Sequence, residues 1–251
     1  MRALFVTAIL AVVTVVYLVA MEILRLFAPR AKKTAVAQRW MRRYGRTVMW
    51  LVGARIECSL AEGAWMPGAD ARGVGRVFAM NHRSMLDVFV YLSFFEANAL
   101  SRADVARWPL AGLVARRTGT LFVDRASRQS GAAAVQAMVD ALSQGRGVFV
   151  FPEGTTFTDD EVRPFKGGGF VAAQRARAEV VPVGLAYQSV EACYGDEEFW
   201  PHWKRLASIG RIRAALEIGE PLPPQDDADA LRERAHASVQ ALVRRARQKL
   251  G

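Results

Sequence analysis

The sequence has little cysteine and histidine, and it lacks several motifs that would point to a specific chemistry. Its 251 residues include 2 cysteines and 3 histidines. Cys58 and Cys193 are far apart and neither lies in a Cys-x-x-Cys pattern, so the sequence indicates neither a disulfide framework nor a zinc site. A Gly-x-Ser-x-Gly elbow is absent, and no internal repeat is visible. These absences argue against a disulfide-stabilised domain, a cysteine-based zinc site and a repeat architecture.

Acidic residues are missing from one long stretch near the N-terminus. No Asp or Glu occurs between Glu22 and Glu57, whereas this stretch contains seven basic residues from Arg30 to Arg46. It directly follows an uncharged apolar segment, 3–21, which as a helix would be about 30 Å long, enough for a bilayer core. We therefore expect the anionic partner of this chain, whose net charge is +10, to be membrane lipid and not nucleic acid. The basic flank predicts a membrane protein whose domain lies on the cytoplasmic face.

Other interpretations of the N-terminal region stay open at this point. A cleaved signal peptide would have a shorter apolar region and a more basic start than Arg2 alone provides. The apolar helix could span the bilayer or dip into one leaflet. Residues 34–51 place Trp40, Tyr44 and Val48 at helical spacing, which fits either an interfacial helix or one packed on a core. We predict membrane-anchoring and interfacial helices over 1–53 and a catalytic α/β domain over 54–251.

The rest of the sequence alternates short β-type runs with helical patterns. Strands are predicted at 54–59, 77–80, 121–123, 148–151, 180–187 and 211–218, and helices at 84–95, 128–143, 168–177 and 226–250. This alternation predicts an α/β fold, with a partly parallel mixed sheet flanked by helices and an N-terminal membrane-anchoring helix. Chemistry in such sheets collects where strands end and helices begin.

His82 and Asp87 follow the apolar strand 77–80 at such a junction. Ser84 and Asp87 resemble a helix-start signal, so the loop can fold His82 back towards Asp87. A carboxylate on one imidazole nitrogen leaves the other nitrogen free to act as a base. The same residues also fit a purely structural role, with Asp87 capping a helix and His82 as a polar loop residue.

Three further segments lie within or after other strands, namely 119–125, 149–168 and 180–184. Arg125 ends the segment 119–125 and offers a planar fork to a phosphate, although this segment by itself favours a surface turn at Asp124 and Arg125. Glu153, Gly154 and Thr155 follow a strand that breaks at a proline, and Gly154 permits close approach of a ligand. Lys166 precedes three glycines, a combination that suits a turn facing an anion. The segment 181–183, Val-Pro-Val, is expected to line a pocket wall.

Together these four segments resemble the glycerolipid acyltransferase family, whose best-known members are the 1-acyl-glycerol-3-phosphate acyltransferases. The His-x4-Asp motif matches at His82 and Asp87, and the Gly-x-x-Phe-x-x-Arg motif at 119–125. The Phe-Pro-Glu-Gly-Thr motif matches at 151–155, and all motifs occur in the family's order across 77–187.

The resemblance implies direct acyl transfer, with His82 as general base and Asp87 as the residue that orients it. It implies that Arg125, Glu153, Gly154, Thr155 and Lys166 bind a lysophospholipid acceptor. The acyl donor would be acyl-coenzyme A or acyl-carrier protein, and neither metal nor cofactor is implied.

Two departures from the family pattern bear on the acceptor. Thr156 stands where many members have arginine, and Arg102 stands near a position where many have lysine. Loss of that arginine makes a lyso-ornithine lipid an alternative to 1-acyl-sn-glycerol-3-phosphate. The remaining alternatives are an esterase with Ser84 as nucleophile, and a protein that binds anionic lipid without catalysis.

Overall fold

A computed structural model describes residues 1–29, 33–60, 66–108, 111–124 and 127–251. Its helices are α1 (Arg2–Phe27), α2 (Lys33–Val52), α3 (Asp87–Phe94), α4 (Ala111–Arg117), α5 (Arg128–Ser143), α6 (Gly168–Ala176), α7 (Phe199–Ile209) and α8 (Ala228–Lys249). Its strands are β1 (Ala54–Cys58), β2 (Val77–Met80), β3 (Ala97–Arg102), β4 (Leu121–Val123), β5 (Gly147–Val150), β6 (Val180–Tyr187) and β7 (Ile212–Ile218). Short 3-10 turns lie at Ala103–Arg107 and Val190–Ala192.

The seven strands form one mixed sheet in the order β1-β7-β6-β2-β5-β3-β4. Strands β6, β2, β5, β3 and β4 run parallel to one another, and β7 pairs antiparallel with β6. The segments that follow β2, β5 and β4 consequently emerge at the same edge of the sheet. This topology brings the segments of His82 and Glu153 together, although Arg83 and Glu153, which contact each other there, are 70 residues apart in sequence.

Both faces of the sheet are covered, because alternate residues of its central strands point to opposite sides. Phe78 and Met80 of β2 belong to a core shared with α1, α2, α3 and α7. Val77 and Ala79 belong to a second core shared with α5, α6 and α8. All eight residues of β6 are buried, as expected for a strand covered on both faces. The predicted α/β fold with flanking helices is confirmed.

Helix α1 lies along the α/β domain from end to end. Contacts near its start, middle and end are Arg2 Nη1 to the Ala207 carbonyl (2.5 Å), Thr14 Oγ1 to Tyr44 Oη (2.8 Å) and Arg117 Nη1 to Glu22 Oε1 (3.3 Å). Its opposite face exposes large apolar side chains, including Leu4, Phe5, Val12, Val15, Val16, Val19, Ile23, Leu26 and Phe27. Helix α1 is therefore long and apolar enough to cross a membrane, but one of its faces is covered by the protein.

Helix α2 combines the two roles that its sequence left open. The side chains of Ala37, Met41, Tyr44 and Val48 are buried in the core. On the other side, Arg39, Arg43, Arg46 and Trp50 are exposed and recur at the spacing of a single helical face. Helix α2 is thus packed on the core and presents a basic surface outward.

The sequence patterns missed three elements and misplaced the start of a fourth. Strand β3 reads ANALSR and has no β-branched or aromatic residue, so it lacks the composition that signals a strand. Helices α4 and α7 were not predicted either. Helix α3 begins at Asp87, not at Ser84, and its N-cap position, Leu86, makes no side-chain capping bond. The loop after β2 is therefore three residues longer than the pattern indicated.

The contact of α8 with β6 depends on a glycine. A Cβ added at Gly184 would lie 2.5 Å from backbone atoms of Leu242 and Val243, whereas one added at Gly131 in α5 would meet nothing within 4 Å. We expect Gly184→Ala to lower the free energy of unfolding by about 1–3 kcal/mol. The matched change Gly131→Ala should be neutral or stabilising by up to about 1 kcal/mol. Denaturant unfolding of the two variants measures this, and equal effects would contradict the packing argument.

Candidate active site

Asp87 is the point at which four hydrogen bonds meet. Its side chain is fully buried, and its Oδ2 lies 2.8 Å from His82 Nδ1. The same oxygen accepts the backbone N–H groups of Arg83 at 2.6 Å and Ser84 at 2.9 Å. Oδ1 accepts the hydroxyl of Tyr187 at 2.7 Å. The carboxylate therefore holds the loop, the imidazole and the end of β6 in one arrangement.

The geometry decides which nitrogen of His82 can act as a base. A carboxylate only accepts hydrogen bonds, so Nδ1 carries the hydrogen and Nε2 keeps its lone pair. No residue in the described part of the chain hydrogen-bonds to Nε2. The ring is stacked on Phe151, with centroids 4.0 Å apart, and the side chain remains 20% exposed. An incoming hydroxyl can thus reach Nε2.

The residue before His82 fixes where the loop leaves the sheet. Asn81 is completely buried, and its side chain exchanges two 2.8 Å bonds with the backbone of Leu185 in β6. The amide thereby extends the β2–β6 pairing beyond the last strand residue. Further along, the N–H of Phe157 donates to the His82 carbonyl at 3.1 Å. The loop that carries the histidine is therefore held by β6 on one side and by the segment after β5 on the other.

Arg83 and Glu153 form a buried ion pair beneath the loop. Arg83 Nη1 lies 2.7 Å and 3.1 Å from the two Glu153 oxygens, and the side chains are 2% and 0% exposed. Arg83 also donates to the carbonyls of His82 at 2.8 Å and Glu161 at 3.0 Å. Burial raises the pKa of the Glu153 carboxyl, and the Arg83 guanidinium opposes that shift. In this arrangement Glu153 positions the loop through Arg83, so its predicted direct contact with an acceptor has no support from the geometry.

The other predicted acceptor residues lie on the segment after β5. Gly154 has a left-handed backbone with φ of 81°, and an added Cβ would collide with the side chain of Lys166. Thr155 and Lys166 are exposed. Arg125 lies outside the described residues, and its role in binding an acceptor stays a prediction. Arg102 is exposed and pairs with Asp104 at 2.7 Å.

A second histidine borders the loop between β2 and α3 (residues 81–86). His202 of α7 is completely buried, stacks on Tyr194 with centroids 4.4 Å apart, and has its Nε2 3.5 Å from Ser84 Oγ. Its Nδ1 lies 3.0 Å from Arg205 Nη2 and 3.3 Å from Glu197 Oε1. Burial, assisted by the Arg205 charge, lowers the pKa of His202 to about 4.

Sequence reasoning missed Tyr187, Arg83 and His202 as parts of this site. Tyr187 ends an apolar strand, where a tyrosine is usually a core residue. Arg83 lies between the two motif residues, and a buried arginine has no signal in a single sequence. His202 is in a helix that the patterns did not predict. Their roles depend on contacts over 70 to 118 residues of sequence.

Comparison with known proteins places this chain in a family. The Acyltransferase family model matches residues 70–186. The chain is 33% identical over 174 residues to a lyso-ornithine lipid O-acyltransferase of Pseudomonas aeruginosa, covering 66% of this chain and 67% of the relative. It is 27% identical over 177 residues to a 1-acyl-sn-glycerol-3-phosphate acyltransferase of Neisseria meningitidis, covering 67% and 69%. This chain belongs to the acyltransferase family.

A solved structure agrees with the fold of this acyltransferase. The 1-acyl-sn-glycerophosphate acyltransferase PlsC from Thermotoga maritima superimposes with a TM-score of 0.75, covering 97% of this chain and 94% of that one. At 19% identity this likeness concerns the fold alone. The segment matched by the family model contains His82, Asp87 and Glu153, so the acyltransferase has its buried carboxylate and free imidazole nitrogen within the family domain.

We expect Tyr187→Phe to lower the kcat of the acyltransferase about tenfold or more with little change in KM. The variant removes a hydrogen bond to a buried carboxylate, an interaction worth about 1.5–3 kcal/mol, and thereby loosens the imidazole. Tyr44→Phe is the matched control. It also removes a buried hydroxyl hydrogen bond, but that bond joins α1 to α2. Steady-state kinetics measures both, and a wild-type kcat for Tyr187→Phe would contradict the positioning role.

The depressed pKa of His202 predicts that acid destabilises the protein. The pKa of His202 is 6.5 in the unfolded chain and about 4 in the folded protein, so between these pH values only the unfolded chain binds the proton. Stability is unaffected above pH 6.5 and is lost as the pH falls through this window, by up to about 3 kcal/mol in total. Denaturant titrations should show a smaller loss for His202→Gln. Identical pH dependence in the two proteins would be incompatible with this assignment.

Proposed function

We propose that this acyltransferase moves a fatty acyl group from a thioester donor to the hydroxyl of a lysolipid at the membrane surface. The observation that carries the proposal is the 2.8 Å contact between His82 and the buried Asp87 carboxylate, which leaves Nε2 as the accessible lone pair. Coenzyme A or acyl-carrier protein carries the acyl group. The mechanism needs no acyl-enzyme, because the acceptor hydroxyl itself attacks.

The proposed reaction balances around one proton. Nε2 of His82 takes the proton of the acceptor hydroxyl while the oxygen attacks the thioester carbonyl. The tetrahedral intermediate collapses, the carbon–sulfur bond breaks, and the imidazolium returns the proton to the departing thiolate. Asp87 stabilises the imidazolium and keeps Nδ1 as the donor. The products are an ester and a free thiol.

Two lysolipids fit the acceptor position, and a different observation favours each. The exposed Lys166 ammonium beside Gly154 favours an anionic phosphate, as in 1-acyl-sn-glycerol-3-phosphate. Thr156 in place of an arginine, and the 33% identity to a relative named for lyso-ornithine lipid, favour that second acceptor. We put 1-acyl-sn-glycerol-3-phosphate first because Arg125 is an additional predicted phosphate ligand.

We also propose that α1 lies in one leaflet of the membrane, on the cytoplasmic side. Both ends of α1 contact the same domain through Arg2 and Glu22, and a helix crossing the bilayer would carry one end away from that domain. The exposed apolar face of α1 would enter the acyl region. The exposed arginines of α2 would meet anionic head groups, which are enriched in the cytoplasmic leaflet of many membranes.

We expect membranes that contain the protein to acylate a lysolipid from labelled acyl-coenzyme A, and His82→Ala to lose this activity. Loss of a general base typically lowers the rate by about 100- to 10,000-fold. The acceptors compared are 1-acyl-sn-glycerol-3-phosphate, lyso-ornithine lipid and glycerol-3-phosphate. Product formation is followed by thin-layer chromatography.

The unfolding temperature of His82→Ala serves as the control for folding. If product formed from lyso-ornithine lipid alone, the proposed mechanism would stand, and lyso-ornithine lipid would be the acceptor instead of 1-acyl-sn-glycerol-3-phosphate. Wild-type turnover in a folded His82→Ala protein would refute the proposed base. No product with coenzyme A or acyl-carrier-protein donors would refute the reaction as proposed.

A further inference from the structure

A basic cavity lies at the opposite end of the sheet from His82. It has a volume of about 250 Å³ and is lined by four arginines together with Met41, Leu92 and Phe95. Other lining residues include the first residues of β3, Ala97 and Asn98, and residues just before β4 and β5, Gly119 and Arg146. His82 and Glu153 instead follow the other ends of the parallel strands. The length of β5 alone, 4 residues, separates the two sites by about 13 Å.

The charge of this cavity is strongly one-sided. Arg25, Arg116, Arg117 and Arg146 line it, and no acidic side chain occurs among its described lining residues. Glu22, at its border, lies 3.1 Å from Arg25 and 3.3 Å from Arg117, so one carboxylate serves two of the four cations. Arg25 Nε is also buried without a hydrogen-bond partner among the described residues. These cations suit a phosphate group, which accepts several N–H bonds at once.

The surroundings of the cavity indicate what carries that phosphate. Arg25 is in the last turns of α1, where Ile23, Leu26 and Phe27 are exposed, on the helix that would contact the acyl region of the bilayer. The walls formed by Met41, Leu92 and Phe95 are apolar. A site with cations at a membrane-facing edge and an apolar wall matches an amphiphile with an anionic head.

We propose that this cavity binds the phosphate head group of an anionic membrane phospholipid that is neither substrate nor product. The bound lipid orients the domain on the bilayer while the His82 site performs the chemistry. The inference rests on the membrane attachment proposed for α1, and it is independent of which acceptor is acylated.

The test compares variants of the whole protein that each lose two positive charges. Arg116→Gln/Arg146→Gln removes two cations of the cavity, and Arg244→Gln/Arg245→Gln removes two exposed cations of α8, which packs on the other face of the sheet. Binding is measured by co-sedimentation with vesicles of phosphatidylcholine, with and without about one-third phosphatidylglycerol. We expect phosphatidylglycerol to raise the vesicle affinity of the wild type and of the α8 variant. In the cavity variant, this increase in affinity should be smaller by about tenfold or more.

A second variant and a soluble probe guard against loss of folding. Gln38→Glu adds a negative charge inside the cavity without removing an arginine, and should weaken the same response. Dihexanoyl-phosphatidylglycerol, below its micelle concentration, should bind the wild type and not the cavity variant. The cavity variants should keep the wild-type unfolding temperature and turnover of a micellar lysolipid.

Three outcomes would overturn the proposal. An equal loss of anionic-lipid response in the cavity and α8 variants would indicate general surface charge. If inorganic phosphate or coenzyme A bound as tightly as dihexanoyl-phosphatidylglycerol, the cavity would not be specific for a phospholipid. A changed acyl-chain preference in the cavity variant would indicate that the cavity is part of the acyl-donor site. Failure of every variant and the wild type to bind phosphatidylcholine would instead contradict the membrane attachment of α1.

Discussion

The buried carboxylate of Asp87 is the constraint on which the active site depends. A charge without exposure to water is stable only if its hydrogen-bonding capacity is used, and here four donors use it. Two donors are backbone groups of the loop after β2, so satisfying the charge also folds the loop. The remaining two are His82 and Tyr187. Because His82 bonds Asp87 through Nδ1, its Nε2 keeps an accessible lone pair.

A second buried charge pair supports the first. Arg83 and Glu153 join the loops after β2 and β5, and Arg83 reaches two further carbonyl groups. Breaking such a pair leaves an uncompensated charge in the interior, so the two loops keep a common geometry. The Phe-Pro-Glu-Gly-Thr segment therefore supports the loop after β2 through Glu153, while Thr155 and Lys166 are exposed.

The proposed membrane-contacting helices and the candidate active site are connected parts of one body. Helix α3, which begins with Asp87, packs on α2, and α2 in turn holds α1. The apolar face of α1 and the arginines of α2 thus have a defined position relative to His82. For an enzyme whose acceptor is a lipid, this relation decides where the head group of the substrate meets the base. A flexible tether between anchor and domain would leave that position undetermined.

The sequence alone predicts the α/β class, the apolar and basic N-terminal region and the pairing of His82 with Asp87. Each of these is a local pattern, readable from periodicity, charge or a short motif. Three features become visible only in the folded chain: α1 lies along the domain, Glu153 bonds Arg83, and Tyr187 and His202 border the loop between β2 and α3. Strand β3 also needed its neighbours, because its composition gives no strand signal. The physical reason is common to all: these features depend on contacts between distant residues, and a burial partner leaves no trace in the local sequence.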